Sequence, residues 1–347
     1  MNELQTILSD TANRLLAGRV TRKVLEAAEA GEWQAGLWQA LEENGLPRVL
    51  VPESDGGAGG GWAEASIVLK AAGRHAAPVP LGETILAGWL LAKAGIGMPD
   101  GPVTLVGSGA MIEKGKISGK APGVPYARHA GHAVILHAKP DAQSTKIALV
   151  ALKDAAIEED VNLARQPRDT VVFSGEEAAE SGEIPGLVDV KLWGALLRAC
   201  EMSGALSSLL EQTVQYAGER KQFGKPIGKF QAIQQQLAVL STHVAAANVA
   251  AAHACAAADK YGEKGSARFE IAVAKIRADE AANLATGIAH QVHGAIGFTY
   301  EHSLHFATRR LWSWRAEFGS GRDWAKELGH AAIERGGAAL WPFVTAR

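Results

Sequence analysis

The sequence predicts an α+β fold in three consecutive parts: an N-terminal helical domain (1–97), a middle β-sheet or barrel domain (98–188) and a C-terminal helical bundle (189–347). Apolar side chains recur at helical spacing in the first and last parts. Short runs rich in β-branched residues, separated by Gly, Pro, Asp and Lys, fill the middle part. Because these runs do not alternate with helices, we expect a small antiparallel sheet or barrel and not a parallel doubly wound sheet.

The composition is that of an ordinary folded protein. Hydrophobic residues make up 47% and charged residues 21% of the chain, which excludes a disordered chain, a collagen-like repeat and a disulfide scaffold. The net charge of -2 offers no basic excess for binding nucleic acid or an anionic membrane surface. Cys200 and Cys255 lie in apolar helical surroundings without a neighbour at metal-ligand spacing, so we expect two core thiols in a reducing compartment.

The first part is predicted to form an amphipathic N-terminal helix followed by helices at 33–44, 63–74 and 83–94. The glycine-rich stretch before position 62 is predicted to be a loop. It is not a dinucleotide-binding fingerprint, because Gly57 and Gly59 would require a glycine at the position of Trp62.

The remaining elements follow the same patterns. Strands are predicted in the middle part at 103–109, 132–138, 146–152 and 170–175. Helices are predicted in the last part at 190–219, 231–261, 267–293 and 301–317, with a continuation at 322–335. Their short connections favour an antiparallel four-helix bundle with faces broad enough to pair with a second copy.

The sequence shows no sign of membrane targeting. No run reaches the ~18 uninterrupted apolar residues of a membrane span. The N-terminus lacks the apolar core of a signal peptide and carries Glu3 and Asp10, which argue against a transit peptide. We therefore expect a cytoplasmic protein without a membrane partner.

Two long motifs carry a family resemblance. The segments YAGERKQFGKPIGKFQ (216–231) and QVHGAIGFTYE (291–301) resemble signatures of the acyl-CoA dehydrogenase family, and VPESDGGAGGG (51–61) resembles its N-terminal loop. The resemblance implies the family's three-domain fold, with FAD as cofactor and an acyl-CoA thioester as substrate. It also implies an electron-transfer acceptor that reoxidises the flavin, and a homo- or hetero-oligomer built as a dimer of dimers.

The resemblance also implies which residues hold the AMP half of FAD. A planar guanidinium suits a pyrophosphate oxygen, an aromatic ring can cover a ring of FAD, and glycines let the backbone approach a cofactor closely. Without the resemblance, the arginine would instead pair with Glu219 or a helix end, and the glycines would only form turns. The implied cofactor-binding residues are Arg220, Phe223, Gln231, Gln291, Gly294 and Ala295.

The family reaction requires an ionised carboxylate that removes the α-proton while the flavin accepts hydride from the β-carbon. In most members this base directly precedes a Gly-Thr or Gly-Ser pair, where the present chain has Phe318. The adjacent Glu317 is therefore the candidate catalytic base, and an exposed helix-end charge is the alternative. Some members keep the base near the start of the first bundle helix, but the stretch 192–198 has no carboxylate. By helical phase Glu201 is expected to face elsewhere.

Further departures point to a divergent branch. We find no counterpart of the family's Glu-Pro and Gly-Ser-Asp loop in the middle part. The segments 295–302 and 309–319 resemble shortened members from bacterial steroid and aromatic catabolism, in which two unlike subunits build the enzyme. A non-catalytic subunit that completes a partner's FAD site is therefore the alternative to a self-sufficient dehydrogenase. No feature favours a flavin monooxygenase, and the net charge counts against a DNA-binding relative.

Other polar clusters carry weaker predictions. His290, His293, His302 and His305 recur at a spacing of three, and we expect helix-end polar residues and no metal site. The arginines at 309, 310 and 315 are expected to meet a CoA phosphate or to form a solvated face. Trp312 and Trp314 point to different faces of a helix, so one is expected in the core and the other at an interface.

Overall fold

The computed structural model describes residues 2–138, 143–261 and 267–345. Helices precede and follow a region of strands, so the predicted α+β class is confirmed. The helices are α1 (Glu3–Arg19), α2 (Arg22–Glu29), α3 (Ala35–Glu43), α4 (Trp62–Arg74), α5 (Leu81–Lys93), α6 (Val190–Glu219), α7 (Gln231–Tyr261), α8 (Arg268–His293), α9 (Leu304–Trp314), α10 (Gly321–Arg335) and α11 (Gly337–Thr345). The domain boundaries at 97/98 and 188/189 stay predictions.

The strands of the described residues form two four-stranded sheets and one short hairpin. They are β1 (Val103–Val106), β2 (Ala110–Glu113), β3 (Lys116–Pro125), β4 (His132–His137), β5 (Ser144–Ala151), β6 (Ala156–Glu158), β7 (Arg168–Glu177), β8 (Glu180–Pro185), β9 (Lys221–Gln222) and β10 (Lys225–Pro226). The sheet orders are β1-β4-β5-β8 and β2-β3-β7-β6. The expectation of purely antiparallel pairing is wrong at one point, because β1 and β4 run parallel. The β2–β3 hairpin between them belongs to the other sheet, so the chain re-enters the first sheet in its original direction.

The bundle differs from the prediction at its fourth helix. The apolar periodicity predicts helix 301–317, whereas α9 covers only Leu304–Trp314. Phe318 and Gly319 both have positive φ angles (55° and 88°), which an α-helix cannot contain. The buried ammonium group of Lys275 on α8 donates to the carbonyl oxygens of Trp314 (3.2 Å) and Arg315 (2.8 Å). These contacts fix the chain just before Glu317.

Helix α7 is the one described helix that is long and apolar enough, by length and composition alone, to cross a membrane. It packs against α4, α6 and α8, as a bundle helix of a globular protein does. Its buried face includes Cys255, whose sulfur lies 3.4 Å from that of the equally buried Cys200 on α6. The two cysteines are free thiols, as predicted for core residues.

Two glycines bring α4 and α6 into close contact. A methyl group on Gly204 would overlap the backbone carbonyl oxygen of Lys70, and one on Gly73 would overlap that of Glu201. Neither carbonyl can move without displacing its helix. The approach positions the start of α6, and with it the charged side chains described below.

Replacing Gly204 by Ala is therefore expected to lower the free energy of unfolding by about 2 kcal/mol or more, because the added methyl group separates two packed helices. Gly218 lies on the same helix with nothing within 4 Å of an added methyl group. Gly218→Ala should raise the free energy of unfolding by about 0.5–1 kcal/mol through helix propensity. Urea denaturation of both variants checks this pair, and equal effects would contradict the close-packing argument.

Candidate active site and cofactor-binding turns

A cleft of about 380 Å³ lies between the middle sheets and the segment that follows α9. Glu317 and Phe318 come from that segment and Arg168 from the start of β7, so the cleft forms only when the domains pack together. It is lined by Leu105, Gly107, Ser108, Pro122, Gly123, Pro125, Asn162, Arg168, Ser313, Glu317 and Phe318. The structure thus places the candidate base on the wall of a cavity.

The carboxylate of Glu317 is held by two arginines. Its Oε1 accepts from Arg168 Nε (2.9 Å) and its Oε2 from Arg198 Nε (2.7 Å), and Asn162 Nδ2 lies 3.3 Å from Oε1. Burial alone would raise the pKa of Glu317, but the positive charges of Arg168 and Arg198 outweigh it and lower the pKa to about 2. An acid of this strength stays ionised at neutral pH but is a weak proton acceptor.

Arg198 is the centre of a buried charge cluster that the sequence patterns did not reveal. This fully buried guanidinium binds Glu83 of α5 and Glu201 of α6 in addition to Glu317. We call Glu83, Arg168, Arg198, Glu201 and Glu317 the charge cluster; it contains three carboxylates and two guanidinium groups. The expectation that Glu201 faces elsewhere is wrong, because one helical turn separates it from Arg198 and brings it to the same guanidinium.

Burial sets the titration of Glu201. It raises the pKa of this carboxyl, and although Arg198 opposes the shift, the negative charge of Glu83 adds to it, so that the pKa lies at about 7. The same arginine holds Glu317 well below that value. Glu201 and Glu317 both bind Arg198, yet their carboxyl groups have pKa values in different ranges.

The position at which most family members have their base is occupied by Phe318, as the sequence count indicates. Its ring packs against Gly194 on α6, where a methyl group would overlap the ring. Gly194 belongs to the stretch 192–198, the alternative location of the base. The guanidinium of Arg198 lies 5.7 Å from the same ring. Both positions are thus filled by groups without a carboxylate, and they contact each other.

The first candidate cofactor turn connects α6 to α7. Arg220 caps the end of α6, and the β9–β10 hairpin follows it. Phe223 has a φ of 50° and is 92% exposed. Among residues 2–138, 143–261 and 267–345, no carboxylate pairs with the Arg220 guanidinium, while Glu219 accepts instead from Gln215. Gln231 is exposed at the start of α7.

The second candidate turn follows α8. Gln291, Gly294 and Ala295 are all exposed, and Gly294 ends the helix with a φ of 64°. The ring of Tyr216 near the end of α6 stacks on that of His293 near the end of α8, with 4.4 Å between ring centroids. Both turns therefore lie at the same end of the bundle.

The arginines and tryptophans between positions 309 and 315 differ in their surroundings. Arg309 pairs with Glu29 and Arg315 with Asp279, and Arg310 is 2% exposed, so the expectation of a solvated arginine face is wrong. Trp314 is buried and Trp312 is exposed, as the helical phase predicts. Within the described part of the chain, no group of three or more His, Cys, Asp or Glu side chains is arranged to hold a metal ion.

Comparison with known proteins identifies the family. The sequence models of the acyl-CoA dehydrogenase C-terminal and N-terminal domains match residues 192–321 and 2–96. The acyl-CoA dehydrogenase IpdE2 of Mycobacterium tuberculosis is 32% identical over 313 residues, covering 89% of this chain and 91% of the relative. IpdE2 of Mycolicibacterium smegmatis is 30% identical over 320 residues, covering 89% and 93%.

Solved structures of similar fold agree with this family assignment. The Tcur3481-Tcur3483 steroid ACAD superimposes with a TM-score of 0.84 at 26% identity, covering 95% of this chain and 98% of the other. The ChsE4-ChsE5 complex of Mycobacterium tuberculosis superimposes with a TM-score of 0.85 over 96% and 98% of the two chains, and at 23% identity this likeness shows the fold. The predicted family is therefore confirmed: the chain belongs to the acyl-CoA dehydrogenase family of oxidoreductases.

Proposed function

We propose that the chain is one subunit of an FAD-dependent acyl-CoA dehydrogenase that oxidises a CoA thioester at Cα–Cβ together with a second, unlike chain. In this proposal the catalytic carboxylate comes from the partner chain, and the present chain holds the adenosine side of FAD. Because one similar structure is described as a steroid ACAD with two named components, we include a steroid-derived acyl group as the proposed substrate class.

The state of Glu317 is the observation that carries this proposal. A base must accept the α-proton, yet both oxygens of this carboxylate are bound by arginines and its pKa is about 2. The neighbouring positions offer no substitute, because Phe318 packs on Gly194. The chain therefore lacks an available carboxylate at either position that the family uses.

The geometry of α6 also supports a site shared between chains. Its 30 residues span about 45 Å at 1.5 Å per residue. The cleft beside Glu317 lies near the start of this helix and the turns at Arg220 and Gly294 lie near its far end. Arg198, which holds Glu317, and Arg220 are 22 residues apart, which corresponds to about 33 Å along the helix axis. This separation favours an FAD molecule that is shared between two chains.

The exposed turns fit the adenosine side of FAD. The Arg220 guanidinium has five donors and no carboxylate partner among the described residues, which suits the pyrophosphate. The ring of Phe223 makes an edge contact with Phe230 and is otherwise exposed, so that it can cover a ring of the cofactor. Gln291 and the backbone at Gly294 and Ala295 offer further donors from the second turn. When bound, FAD supplies the hydride acceptor; the residues of this chain bind and orient it.

A self-sufficient dehydrogenase is the second candidate, and one observation favours it. The raised pKa of Glu201, about 7, is suited to a proton acceptor at neutral pH. For this function Glu201 would have to exchange its contact with Arg198 for one with substrate.

FAD content distinguishes the two candidates. We expect the chain to be nearly colourless when it is purified alone. When it is co-expressed with a second acyl-CoA dehydrogenase chain, we expect the complex to contain FAD that an acyl-CoA bleaches under anaerobic conditions. In that complex, Arg220→Gln should weaken FAD binding by about ten- to a hundredfold, since it removes charge-assisted hydrogen bonds. Lys221→Gln, at the adjacent exposed position, is the control. Stoichiometric FAD that an acyl-CoA bleaches in the isolated chain would contradict the shared site.

A further inference from the structure

A second cavity lies where α2, the segment after β3, the loop 159–167 and α9 meet. Its volume is about 310 Å³. Glu29 and Trp33 line it from the N-terminal part, Tyr126 and His129 from the middle part, and Arg310 from α9. It shares no lining residue with the cleft beside Glu317.

Arg310 is a buried cation that forms no ion pair with any carboxylate of the described residues. Its side chain is 2% exposed. Its Nη1 donates to the Phe306 carbonyl oxygen (3.1 Å), and its buried Nε has no hydrogen-bond partner. No carboxylate within the described ranges lies within ion-pair distance of its guanidinium. Burying an unpaired charge is costly, so this guanidinium requires a partner that the described chain does not supply.

Three carboxylates line the cavity: Glu32 is exposed to solvent, and Glu29 and Glu159 are engaged by other arginines. Glu29 pairs with Arg309, at 3.1 Å. Glu159 pairs with Arg128, at 2.7 Å, and the buried Asp169 binds the same guanidinium. None of these contacts includes Arg310. A rotation of Glu29 toward Arg310 would break the ion pair between Glu29 and Arg309. Neutralising Arg310 in this way would therefore cost free energy.

The walls of the cavity define the rest of the ligand. The ring of Trp33 stacks on that of His129 with 5.0 Å between centroids and an interplanar angle of 19°. Pro78 and the buried ring of Tyr126 add further flat apolar surface. Such walls favour a planar apolar body over a hydrated inorganic anion. A carboxylate matches the planar fork of a guanidinium.

We propose that this cavity binds a small aromatic carboxylate, whose carboxylate pairs with Arg310 and whose ring lies against Trp33 and Tyr126. The site does not depend on the proposed function, because none of its residues belongs to the charge cluster or to the FAD turns. A ligand held here would contact all three parts of the chain at once. It would therefore stabilise their packing in proportion to its affinity.

Calorimetric titration of the full chain with benzoate tests the proposal. We expect saturable one-to-one binding, with benzamide, the neutral isostere, weaker by about tenfold or more, since it lacks the charge-assisted contact. Arg310→Met should lose benzoate binding to a similar extent, and its thermal stability without ligand should not fall, since an unpaired buried charge is removed. Arg277→Gln, which changes a surface arginine paired with Glu280, is the matched control and should bind as the unaltered chain does.

A second variant keeps the proposal testable if Arg310→Met does not fold. Trp33→Ala leaves the charge in place and should weaken benzoate by removing the stacked wall. Three results would overturn the proposal: no benzoate binding to the unaltered chain, equal benzoate affinity in a folded Arg310→Met, or inorganic phosphate binding as tightly as benzoate. The last result would show a site for any oxyanion.

Discussion

Arg198→Met is expected to lower the free energy of unfolding at pH 7 by about 3–5 kcal/mol, the cost of breaking a buried ion pair. The substitution keeps the length of the side chain but removes the charge that Glu83, Glu201 and Glu317 share. Glu83 and Glu201 are 3% and 6% exposed, so water cannot take the place of the guanidinium. Urea denaturation followed by circular dichroism measures the loss.

The pH dependence of this variant distinguishes lost charge from lost packing. Without Arg198, nothing opposes the effect of burial on Glu201, so its folded-state pKa, already raised to about 7, rises further above the unfolded value. Stability then increases as the pH falls from 7 toward 5, and the difference from the unaltered chain shrinks. Arg74→Met, which breaks a solvent-exposed pair with Glu211, should cost less than about 1 kcal/mol at either pH. A loss for Arg198→Met that does not change with pH would contradict the electrostatic explanation.

Glu317→Gln should destabilise the fold by about 3 kcal/mol at pH 7, because a pKa lowered to about 2 corresponds to that preference for the ionised form in the folded state. The folded-state pKa lies below the unfolded value. The contribution is therefore complete above about pH 4.5 and is lost as the pH falls toward 2. The difference between the denaturation curves of the two proteins should begin to narrow below about pH 4.5 and should close only near pH 2. Glu26→Gln, at an exposed pair, is the control.

The same variant separates a structural role of Glu317 from a catalytic one. In the assembled enzyme we expect Glu317→Gln to keep its turnover within about tenfold, provided that the assay temperature lies well below its melting temperature. Loss of a catalytic base would cost about a hundredfold or more. A folded variant with near-normal stability and no turnover would show instead that Glu317 is the base.

Much of the fold follows from local patterns. The three-part order and most helix positions depend on periodicity within single segments, and so do the two turns that contain Arg220 and Gly294. The strands β2, β3, β6 and β8 were not predicted, because their faces are partly exposed and their residues mix polar and apolar types. The parallel pairing of β1 with β4 also escaped prediction, since it depends on which sheet the intervening hairpin joins.

The sequence by itself determined the fold class, the family and the two exposed turns at the far end of the bundle to which we assign the cofactor. These properties are carried by contiguous motifs, in which neighbours along the chain are neighbours in space. Only the tertiary structure decided the state of Glu317, whose partners Arg168 and Arg198 lie 149 and 119 residues away. The same holds for Arg310, whose sequence neighbour Arg309 is paired while its own guanidinium faces a cavity. Ion-pair energies depend on distance and burial, and both quantities exist only after the three parts of the chain have packed together.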